Sequence, residues 1–326
     1  TNSNVWTNIG TSGTGDVLKP PYNYQGTQYG YAVGSTNSPS TVATSDKWSY
    51  SSNNTVSAHN NLMSGGLNYA SANAKAPDWS YFVGGAPYNY TDSQNVQKVS
   101  HTTGVASQSQ GTVSTRGGSY GLPSYNRGST SSETHGYFFG GQQNNGWPQN
   151  NQLEKYVYAN NSGSTNWGNM VQGCSAPTGM PDVSNGYGYI SGGYWYSPSL
   201  VFNRIERYSY SSSGSSTMPH TISYPMVSRC GYGTTSYGFI GGGGWPSYSS
   251  YIERLSYASN GSVTQWGTLH GGRNHHHGAD ASFTTEGHSA AGTDGTGITK
   301  FNFSSSGTTA TWGSISNRSY TSGQHS

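Results

Sequence analysis

A run of aromatic and aliphatic residues that ends in a glycine pair recurs along the chain. The copies are YGYAVGS from Tyr29, WSYFVGG from Trp79, HGYFFGG from His135, YGYISGG from Tyr187, YGFIGGG from Tyr237 and a degenerate EGHSAAG from Glu286. Aromatic and aliphatic residues bounded by glycine are typical of a β-strand. The equivalent positions, spaced by about 50 residues, are Gly34, Gly84, Gly140, Gly192, Gly242 and Ala291. The pattern therefore predicts six copies of one structural unit.

Two further elements follow each glycine pair in the same order. The first ends in a Ser/Asn/Gly turn suited to a tight hairpin, as in LEKYVYANNSG from Leu153, IERYSYSSSG from Ile205, IERLSYASNG from Ile252 and ITKFNFSSSG from Ile298. The second begins at Trp167, Trp266 or Trp312, and an Arg often opens the next unit, as at Arg116, Arg229, Arg273 and Arg318. Because they hold fixed places in the repeat, we expect the tryptophans to pack between units, and Glu154, Glu206 and Glu253 to be structural.

This order of elements resembles the kelch motif along nearly the whole chain. The resemblance implies an all-β, kelch-like β-propeller of six four-stranded blades. Seven blades are the alternative, because residues 5–10 (VWTNIG) resemble an additional fourth strand. We expect residues 1–24 to form an N-terminal arm or extra strand. Residues 25–326 would form a single propeller, closed by a C-terminal strand within residues 318–326.

The hairpin units at residues 252–267 and 298–313 resemble those of kelch-like virion structural proteins of marine bacteriophages, cyanophages especially. That resemblance implies a non-enzymatic structural or decoration protein of a tail fibre, neck or capsid, located on the surface of the extracellular particle. Its partners would be other virion proteins or a host surface glycan, so that carbohydrate binding would serve host attachment. The alternatives are a purely architectural propeller without a ligand and a carbohydrate-active enzyme of the galactose-oxidase type.

The loops after the glycine pairs contain aromatic residues close to proline. They are GGAPYNYTD from Gly84, GGQQNNGWPQNN from Gly140, GGYWYSPSLVFN from Gly192 and GGGGWPSYSSY from Gly241. Rigid aromatic rings beside Asn and Ser make contact surfaces at a low entropy cost, and a flat ring can stack on a sugar. The candidate ligand- or partner-binding residues are Tyr88, Tyr90, Trp147, Trp195, Tyr196, Trp245 and Tyr248. The alternative is that these rings pack against neighbouring blades or a partner subunit.

Composition narrows the classes of partner. The chain has 326 residues, of which 31% are hydrophobic and 8% charged, with a formal net charge of +2. Without a Lys/Arg cluster, it lacks the electrostatic footprint of a nucleic-acid-binding protein. No apolar run is long enough for a membrane-spanning helix, so we expect no membrane insertion. Because the chain begins at Thr1 rather than Met, we expect processing or further residues upstream.

The residues that could carry chemistry are few. His275, His276 and His277 are consecutive, and successive side chains of a strand point to opposite faces, so we expect no metal site and no cofactor. Cys174 and Cys230 are the only cysteines. We expect both to be free thiols, with Cys174 in the connection between the third and fourth blades and Cys230 near the first strand of the fifth. Neither lies in an oxidase signature, and the prediction is that the protein is not an enzyme.

Overall fold

The computed structural model describes residues in each of the repeated units. The described ranges are 5–6, 22–25, 29–37, 40–51, 56–61, 72–83, 96–103, 106–107, 125–142, 149–196, 199–227, 229–244, 249–259, 263–269, 277–279, 286–292 and 295–315. None of these residues is helical, and no helix within them could cross a membrane.

All regular structure in this part of the chain consists of short β-strands. In chain order they are β1 (Val5–Trp6), β2 (Tyr22–Gln25), β3 (Tyr29–Asn37), β4 (Ser40–Ser49), β5 (Val56–Asn61), β6 (Ala72–Lys75), β7 (Trp79–Val83), β8 (Val96–Ser100), β9 (Ala106–Ser107), β10 (Tyr125–Ser131), β11 (His135–Gln142), β12 (Gln152–Val157), β13 (Ser164–Asn169), β14 (Thr178–Asp182), β15 (Tyr187–Ser191), β16 (Tyr194–Tyr196), β17 (Ser199–Val201), β18 (Arg204–Ser209), β19 (Thr217–Thr221), β20 (Cys230–Gly233), β21 (Tyr237–Gly241), β22 (Tyr251–Ser256), β23 (Thr264–Thr268), β24 (His277–Ala279), β25 (Glu286–Gly292), β26 (Gly295–Asn302), β27 (Gly307–Thr308) and β28 (Ala310–Ile315).

The strands assemble into antiparallel sheets that follow the sequence repeat. Within the described residues, sheets 1 to 3 are β2–β5, β6–β9 and β10–β13; sheet 4 is β14-β15-β18-β19; sheet 5 is β20–β23; and sheet 6 is β24-β25-β26-β28. The first strands contact one another in the order β2, β6, β10, β14, β20, β24 and then β2 again. The sheets therefore form a propeller-like ring, which confirms the prediction of an all-β propeller fold at this level.

The outer edges of several sheets are covered by a segment from elsewhere. β27, which lies in the turn between the last two strands of sheet 6, pairs in parallel with β23 of sheet 5. In the same way, the Gly214 amide of sheet 4 donates to the Trp167 carbonyl at the edge of sheet 3. A Cβ on Gly168 would overlap the Gly214 carbonyl, which explains the glycine after this tryptophan. Covering an edge in this way removes a template for unwanted strand pairing.

The first and the last described strands both lie in sheet 6, which adjoins sheet 1. β1 pairs in parallel with β28, so Val5 and Trp6 lie at the outer edge of sheet 6. β2 is the first strand of sheet 1 and begins at Tyr22, within the segment expected to be an N-terminal arm. The proposed closing strand within residues 318–326 lies outside the described residues.

A series of paired aromatic rings joins consecutive sheets, and we call it the aromatic series. In each pair, a ring from the second strand of one sheet meets a ring that follows the third strand of the next. Across the described boundaries the pairs and centroid distances are Tyr81–Tyr158 at 4.6 Å, Tyr137–Tyr210 at 4.5 Å, Tyr189–Tyr257 at 5.0 Å, Phe239–Phe303 at 4.7 Å and His288–Tyr50 at 4.8 Å. Buried aromatic pairs contribute beyond the area they bury. The hydrophobic core of the ring therefore lies between sheets.

Candidate functional site

Three of the glycine pairs are described, and each turns the chain at the end of a second strand. In sheets 3, 4 and 5 both members have positive φ, for example +66° and +101° at Gly192 and Gly193. This region of backbone space favours glycine. A Cβ on Gly192 would lie 2.7 Å from the Met226 carbonyl oxygen, and one on Gly193 would lie 2.6 Å from the Cys174 Sγ. The glycine pair therefore lets the chain pass close to the linkers that join sheet 4 to the preceding and the following sheet.

The loop after each of these glycine pairs is closed at its base by the same hydrogen bond. The carbonyl of the second glycine accepts from the amide of the residue that ends the loop. The bonds are Asn150 to Gly141 at 2.9 Å, Phe202 to Gly193 at 3.0 Å and Ser249 to Gly243 at 3.1 Å. Three loops of different sequence thus leave from and return to the same place in their sheets.

Two of these loops also form backbone hydrogen bonds with the linker from the preceding sheet. Tyr194 and Ser175 exchange two backbone hydrogen bonds of 2.8 and 2.9 Å, and the Gly244 amide donates to the Val227 carbonyl. The connections between second and third strands therefore share one end of the ring with the linkers between sheets. We call this end the loop face.

The loop of sheet 4 is described most fully. It forms a two-stranded ribbon in which β16 pairs with β17 and Trp195 lies opposite Leu200. Leu200 is 47% exposed. Trp195 is partly buried and packs against a cluster of buried residues that includes Phe202 and Ile190. The candidate Trp195 therefore packs toward the core of its boundary, while its cross-strand neighbour Leu200 is largely exposed.

The other candidate binding residues are less fully defined. Tyr196 lies in β16, but its side chain is outside the described set. Tyr88, Tyr90, Trp147, Trp245 and Tyr248 lie outside the described residues altogether. The stems of the loops that carry Trp147 and Trp245 are nevertheless described, and both have the closing hydrogen bond.

The repeated glutamates lie in buried ion pairs. Arg127 donates to Glu154 at 2.6 Å and Arg229 donates to Glu253 at 2.6 Å, with all four side chains at most 2% exposed. Glu253 also accepts from the Ser223 amide at 2.8 Å, in the linker from the preceding sheet. This arrangement supports the structural role expected from the sequence.

The arginine partner was only partly predictable. Arg229 precedes β20, as the repeat indicates. In sheet 3 the partner is Arg127 of β10, whereas the repeat suggested Arg116, which lies outside the described residues. In sheet 4 the cation is Arg204, two residues before its partner Glu206 on the same strand. The sequence repeat does not predict Arg204, because an arginine at this position pairs with the glutamate in one sheet only.

The three repeat tryptophans join neighbouring sheets, as predicted. Each indole N–H donates to a backbone carbonyl of the next sheet: Trp167 to Ser209 at 2.8 Å, Trp266 to Asn302 at 3.2 Å and Trp312 to Ser49 at 3.3 Å. A cation from the same sheet lies over each ring at 3.8 to 4.1 Å, namely Lys155, Arg254 and Lys300 respectively. These rings are half-buried and make cation–π contacts at the rim of each boundary.

The two cysteines are buried and free. Cys174 lies between β13 and β14, and Cys230 begins β20, where the repeat predicts them. Burial raises the pKa of the Cys174 thiol to about 12 and also raises that of Cys230. Both are therefore protonated at neutral pH, and neither is an activated nucleophile.

The histidine run falls at the start of sheet 6. His277 begins β24 without a described side chain, and His275 and His276 lie outside the described residues. Among the side chains that the structure describes, no three of His, Cys, Asp and Glu converge to hold a metal ion.

Comparison of the chain with models of known protein families found no match, and comparison with curated proteins found none either.

Proposed function

We propose that the six sheets are six blades of a kelch-like propeller. The support is the repeat of about 50 residues, together with the glycine pairs, which have the same backbone geometry in sheets 3, 4 and 5. The closed circuit of first strands from β2 to β24 gives further support.

We propose that the protein is a non-enzymatic virion component whose loop face binds a host surface glycan or another virion protein. The observation that carries the binding role is the common closing hydrogen bond beneath loops of different sequence. A fixed stem lowers the entropy cost of ordering a loop on binding. The virion assignment is supported by the sequence resemblance of residues 252–267 and 298–313.

The buried groups give no support to the enzyme alternative. Within the described residues, the repeated glutamates are occupied by arginines, and the thiols of Cys174 and Cys230 are protonated. The purely architectural alternative has one observation in its favour. Trp195, a candidate contact residue, packs partly against the core of its own boundary.

Binding of the full chain to a glycan array and to the proteins of its source particle tests the proposal. Trp147→Ala, Trp245→Ala and Leu200→Ser each change the loop face. We expect each to weaken binding by about tenfold, which corresponds to about 1.4 kcal/mol, with little change in melting temperature.

Val183→Ser provides a matched control. Val183 is 48% exposed, much like Leu200, but lies in the turn between β14 and β15, at the opposite end of the sheet. We expect it to leave binding unchanged. If the loop-face variants bind as the parent does but melt at a much lower temperature, their side chains are structural and the proposal is wrong. If the parent binds neither glycans nor particle proteins, the architectural alternative is correct.

A further inference from the structure

One member of the aromatic series is a histidine. His288 lies opposite Lys300, just as Tyr137, Tyr189 and Phe239 lie opposite the basic residue of their own third strands. It therefore occupies the position of an uncharged ring in the other sheets. Its boundary joins sheet 6 to sheet 1, where the last sheet along the chain meets the first.

His288 is buried without a hydrogen bond to its ring. Its exposure is 0%, and neither ring nitrogen has a hydrogen-bond partner among the described residues. Tyr50 of sheet 1 packs on it at 4.8 Å and the edge of Trp312 at 5.7 Å. The Tyr232 hydroxyl donates a hydrogen bond to the backbone carbonyl of His288 at 2.8 Å, and this bond does not involve the imidazole.

Few charged groups lie near the imidazole of His288, and the described ones already contact another side chain. The Glu286 carboxylate lies 3.9 Å from Nε2 but is paired with the Lys300 ammonium at 2.7 Å. That ammonium also lies over the Trp312 ring at 4.1 Å. On sheet 1, the Lys47 ammonium lies over the ring of Tyr29. The side chains of Asp46 and His277, on adjacent strands, are outside the described set.

We propose that the boundary between sheets 6 and 1 is an acid-sensitive closure, in which protonation of His288 loosens the contact between the two ends of the ring. A charge on this imidazole would be buried between Tyr50 and Trp312 with one distant, shared carboxylate. Burying an ion without a dedicated partner is costly. Opening the boundary would return the imidazolium to water.

The pKa of His288 supports the direction of this effect. Burial lowers it below its ordinary value of 6.5, and the Glu286 carboxylate only partly opposes that shift. The open form therefore binds the proton more tightly than the closed form. The closed form has its full stability above about pH 6.5 and loses stability as the pH falls toward the lowered pKa.

Glu286 affects the stability of the closed form in a different pH range from His288. The His288 imidazole 3.9 Å away and the Lys300 ammonium at 2.7 Å lower the pKa of Glu286 from 4.5 to about 2. Its contribution is therefore present above pH 4.5 and is lost only in stronger acid. Above about pH 4.5 Glu286 is ionised in both the closed and the open form, so within this pair the pH dependence just below 6.5 comes from His288.

Hydrogen–deuterium exchange of the full chain at about pH 7.5 and 5.5, corrected for intrinsic rates, tests the closure. Peptides from β4, β25 and β26 report on it, and peptides from β11 and β18 report on the boundary between sheets 3 and 4. Protection at the closure should fall by up to about tenfold per pH unit below 6.5, while the reference boundary keeps its protection. Equal protection of β25 and β26 at both pH values would overturn the proposal.

Two substitutions isolate the imidazole. His288→Phe copies Phe239 of sheet 5, and His288→Gln keeps a polar side chain that does not titrate. Both should abolish the pH difference, so a folding failure of one leaves the other informative. His135→Gln is the control, because the pKa of His135 is also lowered by burial but the residue lies in sheet 3. It should keep the parent's response. A pH difference that survives in either His288 variant would also overturn the proposal.

Discussion

The boundary between sheets 3 and 4 and the boundary between sheets 6 and 1 use the same positions with different side chains. At the first, Tyr137 stacks on Tyr210 with the planes 16° apart, and its hydroxyl donates to the Tyr210 carbonyl at 3.1 Å. At the second, His288 meets Tyr50 at 52° and makes no such bond among the described residues. The same backbone arrangement thus carries contacts of unequal quality.

The buried charges differ between these regions as well. Sheets 3, 4 and 5 each bury a glutamate with an arginine. At the corresponding position of sheet 6, Thr299 is fully buried and its hydroxyl has no hydrogen-bond partner among the described residues. Paired aromatic side chains thus recur at both boundaries, whereas the buried ion pairs and the tyrosine hydroxyl bonds differ from sheet to sheet.

Arg229→Met should give the largest effect, because it leaves Glu253 buried without its counter-ion. We expect a loss of about 3–5 kcal/mol in the free energy of unfolding, measured by urea titration. Adding Glu253→Leu should recover part of that loss, since the unpaired charge is then removed. In sheet 6, Thr299→Val should be neutral or stabilising, because it deletes a hydroxyl without a partner. A loss below about 1 kcal/mol for Arg229→Met would show that the pair is not a main difference between the regions.

The repeat of about 50 residues was sufficient to predict the all-β ring, and its glycine pairs in sheets 3, 4 and 5 adopt a backbone conformation that few other residues tolerate. It also located Trp167, Trp266 and Trp312 at the boundaries. The stacking of Tyr158, Tyr210 and Tyr257 was missed, although an aromatic residue recurs at this position of the element that follows the glycine pair. The pattern marks the side chain as important but cannot show that its partner lies in the preceding repeat. Arg204 was unpredictable for a different reason. It pairs with Glu206 in sheet 4, which lacks the arginine of the repeat.

Gly192→Ala should lower the stability of the protein by an intermediate amount. Its φ of +66° is unfavourable for alanine, and the added Cβ would press on the Met226 carbonyl. We expect a loss of about 1–3 kcal/mol, measured as a shift in urea midpoint. The corresponding residue of sheet 6 is already Ala291, so Ala291→Gly should change stability by at most about 1 kcal/mol. A stabilisation by Ala291→Gly of about the size lost in Gly192→Ala would mean that the two sheets turn in the same strained way.

The smallest effect concerns one hydroxyl that sheets 3, 4 and 5 have and sheet 6 lacks. The Tyr257 hydroxyl donates to the Pro181 carbonyl of the preceding sheet at 2.9 Å, and Phe303 of sheet 6 takes the equivalent position. Tyr257→Phe should cost about 0.5–1.5 kcal/mol in the free energy of unfolding, because a partly buried hydrogen bond is lost without a change in ring packing.

Phe303→Tyr makes the reciprocal change. The carbonyl equivalent to that of Pro181 belongs to Gly233, since both residues pair with the second residue of the next strand. If sheet 6 differs from sheet 5 only in the side chain, the new hydroxyl should bond there and stabilise the protein by up to about 1 kcal/mol. A destabilisation of similar size would mean that the ring of Phe303 has no room for the hydroxyl. The backbone near the closure would then differ from that of the other boundaries.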